Sequence, residues 1–170
     1  MVPTAEEVAA YLPLGGEAPD SALAGRIASL LATAPLAPRS VHLRDGDRFL
    51  LCGTIGAEFD VWQRRLAVTS AGDALVAQAI GTAAVEKVMD ETEAKLKSLL
   101  AEGERLLPRR SPGYGKIGLD ANREITALLD TSRRIGVSIT DSMALSPSKS
   151  VSAICEIVRS GPSGSEESAL

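Results

Sequence analysis

The most informative segment of this chain reads Arg109-Arg110-Ser111-Pro112-Gly113-Tyr114-Gly115. Proline and glycine side by side favour a rigid turn, and glycine allows a ligand to approach the main chain closely. The guanidinium of Arg109 is a planar fork that suits a carboxylate, and Tyr114 adds a ring face and a hydroxyl. Taken alone, the composition of this segment favours a solvent-exposed turn before a helix over a binding loop, so its interpretation depends on the rest of the chain.

A second candidate residue is Glu86, which lies between Val85 and Val88 on the apolar half of a predicted long helix. An acidic residue there either lies in solvent at the edge of the apolar stripe or faces a positive charge. On this information alone, the solvated edge position is the favoured interpretation.

Helical periodicity and capping residues predict several helices on both sides of the Arg109 segment. Thr4 and Asp73 are predicted N-caps, and the helix after Asp73 starts apolar and ends charged. Leu75, Ile80 and Val85 follow the period of that helix. The predicted helices cover residues 4–11, a stretch from residue 20 or 21 to Pro35, and residues 58–68, 74–100 and 121–129.

Alternating apolar residues predict the strands. Asp45-Gly46 is a turn pair that tolerates positive φ, and the residues around it predict a hairpin. Further strands are predicted at residues 137–140 and 151–158. From Ser160 onward Gly, Pro, Ser and Glu dominate, which predicts a mobile tail.

Length and composition narrow the classes of function. A chain of 170 residues suits one domain, or a small domain with helical extensions. Aromatic residues make up only 3% and the net charge is -4, so a protein that stacks bases or binds phosphate backbones is not expected. The N-terminus lacks the pattern of a signal peptide, and Cys52 and Cys155 are predicted to be reduced in a core. These observations predict a cytoplasmic protein.

The sequence offers few means of independent catalysis. His42 is the only histidine, and its alternating neighbours predict a solvated strand residue. We find no His or Cys cluster with metal-ligand spacing, no dinucleotide-binding glycine motif and no P-loop lysine. A self-contained hydrolase or dehydrogenase is therefore not expected, and we assign no catalytic residue and no metal ligand.

The Arg109 segment resembles the R-x-x-P-G-Y signature of the activation domain of cobalamin-dependent methionine synthase, and the likeness continues downstream. Residues 128–130 and 135–142, then Met143, Pro147 and Ser150-Val151-Ser152, resemble that family's G-x-x-L-T-[DE]-S … M-x-P-x-x-S-V-S block in order and spacing. Upstream, residues 81–88 look like the family's helix that ends in an acidic residue. The resemblance divides the chain into weakly matching helices and hairpin start at 1–50, an activation-domain-like core at 51–160 and a disordered tail at 161–170.

The resemblance implies an α+β fold, with a mixed or antiparallel curved sheet packed against long helices. It also implies a shallow groove that binds S-adenosylmethionine. The ligand's sulfonium and ammonium favour a nearby carboxylate, and its carboxylate favours arginine. The residues that the resemblance assigns to this ligand are Glu86, Arg109, Ser111, Gly113 and Tyr114. The family's early aspartate and late tyrosine have no clear match here, and Arg110 stands where the family can have proline.

In the family, an oxidised corrinoid is returned to its methylated form by one electron from a flavodoxin-like donor and a methyl group from S-adenosylmethionine. This chain has no Asp-x-His-x-x-Gly cobalamin motif. The resemblance therefore implies that cobalamin is supplied by a separate methionine synthase or corrinoid methyltransferase. The chain is expected to be one component of that methyltransferase system, without being catalytic by itself.

Three alternatives remain open at the level of sequence. The chain can be a scaffold or chaperone for a corrinoid protein that has lost ligand binding, as the unmatched aspartate and tyrosine suggest. It can bind a corrinoid or tetrapyrrole itself, although it lacks a lower-ligand histidine motif. It can also form a homo-oligomer through the alanine-rich segment at residues 81–88.

Overall fold

The structure is a computed structural model that describes residues 2–159, so the tail predicted at 161–170 lies outside the described residues. The described part of the chain forms six helices and six strands. The helices are α1 (Ala5–Ala9), α2 (Ser21–Thr33), α3 (Ala57–Thr69), α4 (Ala71–Lys97), α5 (Ala121–Leu129) and α6 (Thr131–Ile135). The strands are β1 (Arg39–Asp45), β2 (Arg48–Thr54), β3 (Glu104–Leu106), β4 (Ser138–Ile139), β5 (Leu145–Ser146) and β6 (Ser150–Arg159).

A four-stranded antiparallel sheet with the strand order β1-β2-β6-β3 forms the centre of the fold. The hairpin predicted at Asp45-Gly46 is confirmed: Asp45 pairs with Arg48, and Gly46 has a φ of 59°. The strand predicted at 137–140 is shorter than expected, because only Ser138–Ile139 pairs with β5 in a separate two-stranded sheet. The predicted α+β class is confirmed, and every strand pair is antiparallel among the described residues.

Side-chain alternation gives the central sheet two buried faces. On one face, Leu51 and Cys155 pack against Met89 of α4. On the opposite face, Leu50 and Cys52 join the cluster that α5 and α6 contribute to. A third cluster lies where α1, α2 and α3 cover the first half of α4. The helix α4 is thus enclosed between the sheet and the N-terminal helices.

The predicted helix starts are confirmed at α1 and α2. The Thr4 hydroxyl accepts from the Glu7 amide while the Glu7 carboxylate accepts from the Thr4 amide, which forms a capping box. The Asp20 carboxylate accepts from the Leu23 amide at 2.8 Å. Both caps satisfy amides in the first turn that have no helical partner.

The start of α4 differs from the prediction. Ser70, rather than Asp73, is its N-cap, because the Ser70 hydroxyl accepts from the Asp73 amide at 3.1 Å. The Asp73 carboxylate instead pairs with Arg26 of α2, whose Nε lies 2.6 Å from Asp73 Oδ1. The helix therefore runs from Ala71 to Lys97, three residues earlier at each end than the predicted 74–100.

Burial along α4 follows its two-sided packing. Leu75, which was expected in the apolar stripe, is 49% exposed, whereas its neighbours Val76 and Ala77 are buried. Gly81 and Ala84 in the alanine-rich segment are also buried within the chain. The small apolar residues of this segment are therefore already covered inside a single chain, and the homo-oligomer alternative stays a prediction.

The two cysteines lie in the core as the sequence predicted, whereas the histidine is more buried than expected. Cys52 and Cys155 are free and buried, as predicted, and burial raises the pKa of their thiols to about 12 and about 11. His42 is half-buried rather than solvated. Burial, together with Arg134 and Lys95, lowers the pKa of His42. Within residues 2–159, no helix combines the length and the apolar character that crossing a membrane requires.

Candidate functional site

A β-bulge brings the Arg109 segment to the edge of the sheet. Leu106 of β3 pairs with Ile157, and the next paired residue is Arg110, opposite Ile154. Three residues, 107–109, thus lie between these pairs on one side, and only two, 155 and 156, lie on the side of β6. The extra residue on the Arg109 side makes this a β-bulge. The bulged segment includes Pro108, which has no amide hydrogen to donate to the hydrogen bonds between the strands.

The bulge determines which way the two arginines face. Arg110 pairs with Ile154, which packs on the α5 side of the sheet, and its side chain forms an ion pair with Glu156. Arg109 is therefore on the opposite side, where it contacts α4. In a regular strand the alternation would reverse these two side chains.

Arg109 forms ion pairs with three acidic residues that lie on one face of α4. Its Nη2 is 2.7 Å from Glu86 Oε2, and its Nη1 is 2.6 Å from Asp90 Oδ1 and 3.2 Å from Glu93 Oε2. Burial acts to lower the pKa of Arg109, but the hydrogen bonds that it donates to Asp90 and Glu86 outweigh this and raise the pKa above its ordinary value. The site thus contains a permanently charged guanidinium within an acidic surface.

The loop after Arg110 folds into a tight turn. The Tyr114 amide donates to the Ser111 carbonyl at 3.3 Å, and the Gly113 amide donates to the Ile117 carbonyl at 2.9 Å. Gly113 has a φ of 88°, so the backbone favours glycine there, and a Cβ would lie 3.0 Å from the exposed Leu119 side chain, which would have to shift slightly. The turn leaves the Tyr114 side chain 77% exposed beside the surface of α4.

Two grooves lie on this surface and meet at Glu86, Ser111 and Tyr114. The first has a volume of about 420 Å³ and the second a volume of about 490 Å³. The other residues of the first groove are Arg109, Arg110, Gly115, Lys116 and Ile117. The other residues of the second are Pro112, Leu119, Asn122, Ala144, Leu145, Ser148, Ser150, Val151 and Ser152. The first groove is therefore bordered by four charged residues, Glu86, Arg109, Arg110 and Lys116, whereas among the described residues Glu86 is the only charged one that borders the second.

Four of the five residues assigned to a ligand line these grooves. Glu86, Arg109, Ser111 and Tyr114 do so, although they come from segments separated by more than twenty residues. Gly113 lines neither groove and instead shapes the turn between Ser111 and Tyr114. Their common location is a geometric finding, and their contact with a ligand stays a prediction.

Asn122 is a polar residue of the site that the sequence analysis missed. It is 4% exposed, its Nδ2 donates to the Met143 carbonyl at 2.8 Å, and its Oδ1 accepts from the Ser152 hydroxyl at 2.6 Å. Asn122, which lines the second groove, thereby links the backbone of Met143, whose φ is 63°, to Ser152 of β6. An asparagine in the first turn of a helix is ordinary, so nothing in the sequence pattern distinguished it.

Tyr11 is a second residue that the sequence analysis passed over. It lines a hollow of about 220 Å³ on the other side of Glu86, together with Asp90 and Lys87. Burial, followed by the charges of Glu86 and Asp90, raises the pKa of Tyr11. No group of three or more His, Cys, Asp or Glu side chains within residues 2–159 is arranged to hold a metal ion.

The fold is similar to that of a solved structure, the crystal structure of the MetH reactivation domain bound to AdoHcy. The TM-score is 0.57 at 15% sequence identity, and the match covers 82% of this chain and 67% of that one. This chain has the reactivation-domain fold. No protein-family model matches the sequence, and no curated protein does. The fold that the sequence resemblance predicted is therefore confirmed by the three-dimensional structure of the chain.

Proposed function

We propose that this chain binds S-adenosylmethionine in the two grooves beside Arg109 and assists the reductive remethylation of a corrinoid held by a separate protein. One observation carries the proposal: Glu86 and the Arg109 loop line the same grooves in a fold shared with a domain whose structure contains AdoHcy. AdoHcy (S-adenosylhomocysteine) is what remains of S-adenosylmethionine after its methyl group has been transferred. The grooves therefore offer charges that suit this ligand, in a fold that holds its product in the solved structure.

The charges of the site fit those of the proposed ligand. Glu86 can accept a hydrogen bond from an ammonium group, and Arg109 can donate to a carboxylate. An amino acid carries both groups on one carbon atom, and the two side chains are 2.7 Å apart in the structure. The amino-acid end of the ligand would therefore enter by exchanging the Glu86–Arg109 pair for two new pairs.

The proposed role requires no general acid or base from the chain. In this role S-adenosylmethionine would supply an electrophilic methyl group to a reduced corrinoid held by the partner, and S-adenosylhomocysteine would remain as the product. The contribution of the chain is to hold the sulfonium in one orientation and to exclude water, which is catalysis by proximity. The electron that reduces the cobalt would come from a flavodoxin-like donor.

Calorimetric titration with S-adenosylmethionine tests the proposal directly. The wild-type protein should bind saturably, and Arg109→Lys should weaken binding roughly tenfold to a hundredfold, because lysine keeps the charge but loses the planar fork. Arg109→Ala should weaken it at least as much. Arg105→Ala is the matched control, since Arg105 is an exposed arginine on β3 that lines neither groove.

The outcome separates the leading function from the scaffold alternative. Saturable binding that is lost in Arg109→Lys but kept in Arg105→Ala supports the proposal. If the wild-type protein binds neither S-adenosylmethionine nor S-adenosylhomocysteine, the proposed ligand-binding function is wrong. A scaffold for a corrinoid protein then becomes the better interpretation.

A further inference from the structure

The guanidinium of Arg109 has one occupied edge and one largely open edge. Its Nη1 donates to both Asp90 and Glu93, so both hydrogens of that nitrogen have partners. Its Nη2 donates only to Glu86, and its Nε has no partner among residues 2–159. An arginine has five N–H donors, so the Nε hydrogen and one Nη2 hydrogen remain without a partner among the described residues, and release of Glu86 would free the whole Nε–Nη2 edge for a bidentate partner.

Of the three acids that pair with Arg109, Glu86 is the one that borders the two grooves. Arg109 and Glu86 both line the first groove, whereas Asp90 and Glu93 line neither the first nor the second. The two acids that hold Nη1 therefore lie outside the lining of both grooves. A ligand that enters the groove meets Glu86 and the Nε–Nη2 edge without displacing Asp90 or Glu93.

We infer that Glu93, assisted by Asp90, is a positioning residue that holds the Nη1 side of Arg109 and presents the Nε–Nη2 edge to the carboxylate of the ligand. This inference rests on the proposed function and adds a division of roles among the three acids. Glu86 is the partner that exchanges when the ligand's ammonium arrives. Glu93 and Asp90 remain in place and keep the guanidinium from rotating.

Glu93 is expected to contribute more than Asp90. The Glu93 side chain is 16% exposed and Lys97 holds it from the next turn of α4 at 3.2 Å, whereas the Asp90 side chain is 68% exposed. Solvent and salt screen an exposed pair far more than a partly buried one. Asp90 thus supplies a shorter contact that solvent screens, and Glu93 supplies a longer contact that is screened less.

The test compares Glu93→Gln with Asp90→Asn, using two probes, S-adenosylmethionine and its decarboxylated form. Both substitutions keep a hydrogen-bond acceptor of the same size and remove the charge. We expect Glu93→Gln to weaken binding of S-adenosylmethionine about five- to tenfold, and Asp90→Asn about twofold or less. The decarboxylated probe cannot use the Arg109 fork, so its affinity should change less than about twofold in either variant. Glu91→Gln is the matched control, because this α4 acid makes no contact with Arg109.

The two probes distinguish positioning from a general structural effect. An equal loss of affinity for both probes in Glu93→Gln would overturn the inference, as would an unchanged affinity for S-adenosylmethionine. In the Arg109→Lys background, Glu93→Gln should add little further loss, because the fork that it positions is absent. Binding by the wild-type protein with no effect of Glu93→Gln rejects the inference alone, whereas no binding by the wild-type protein rejects the proposed function together with it.

Discussion

Replacing Gly81 with alanine should destabilise the protein, although alanine is the better helix former. Gly81 lies inside α4, where this substitution ordinarily stabilises a helix by about 1 kcal/mol. A Cβ at this position would lie 2.6 Å from Cε1 of Phe59 and 2.7 Å from Cε of Lys149. Both neighbours are themselves buried, at 0% and 8% exposed, so neither can move aside freely.

The expected loss in the free energy of unfolding is the packing cost of the added Cβ minus the gain in helix propensity. Extra carbon in a well-packed core costs about 1–3 kcal/mol, because side chains are forced from their preferred rotamers. Set against the gain in helix propensity, the net loss should be about 1 kcal/mol. The site is affected as well, since Lys149 crosses α4 at Gly81, donates to Thr82 Oγ1 at 3.1 Å, and lies between two residues of the second groove.

Gly25→Ala is the matched control for this substitution. Gly25 lies inside α2, is exposed, and has no heavy atom within 4 Å of the position that a Cβ would take, so only the gain in helix propensity applies. This variant should be stabilised by about 1 kcal/mol. The difference between the two variants cancels the propensity and isolates the cost of packing at Gly81.

The assay is urea denaturation followed by circular dichroism, with midpoints compared at a constant slope. We expect the free energies of unfolding of the two variants to differ by about 1–3 kcal/mol, with Gly81→Ala the less stable. A difference below about 0.5 kcal/mol would refute the argument, because the contact between Gly81 and Phe59 would then impose no real constraint.

Two further predictions concern pH and thiol chemistry. The hydrogen bonds from Arg44 and from the Ala101 amide lower the pKa of Glu104 to about 2, so its contribution to stability is complete above its ordinary pKa and is lost as the pH falls toward 2. Glu104→Gln should therefore lose less stability than the wild-type protein between about pH 5 and about pH 2, as measured by urea denaturation, with the exposed Glu102→Gln behaving like wild type. Because burial raises the pKa of both Cys52 and Cys155, neither thiol should react with a thiol reagent in the native protein near about pH 8, and both should react in urea; rapid native labelling would show that the core opens.

The sequence by itself determined the local structure of this protein. The cap at Thr4, the start of a helix near Asp20, the turn at Asp45-Gly46 and the strand that includes Val151 were all predictable, because each depends on side chains within a few residues of one another. The start of α4 was not predicted correctly, since the Asp73 carboxylate is drawn away to Arg26 on another helix. A local capping rule cannot account for a partner so distant in sequence.

At the candidate site, too, the sequence identified single residues, and the tertiary structure determined how they are arranged. The sequence pattern singled out Arg109 and Glu86 separately, but only the folded chain brings them to 2.7 Å and adds Glu93 to the cluster. The bulge at Pro108 turns Arg109 toward α4, and this depends on its register against β6, which no pattern within residues 107–109 reveals. Propensity and periodicity act over a few residues, whereas register, packing and ion pairing join residues far apart in the chain, and these alone decided the chemistry that faces the groove.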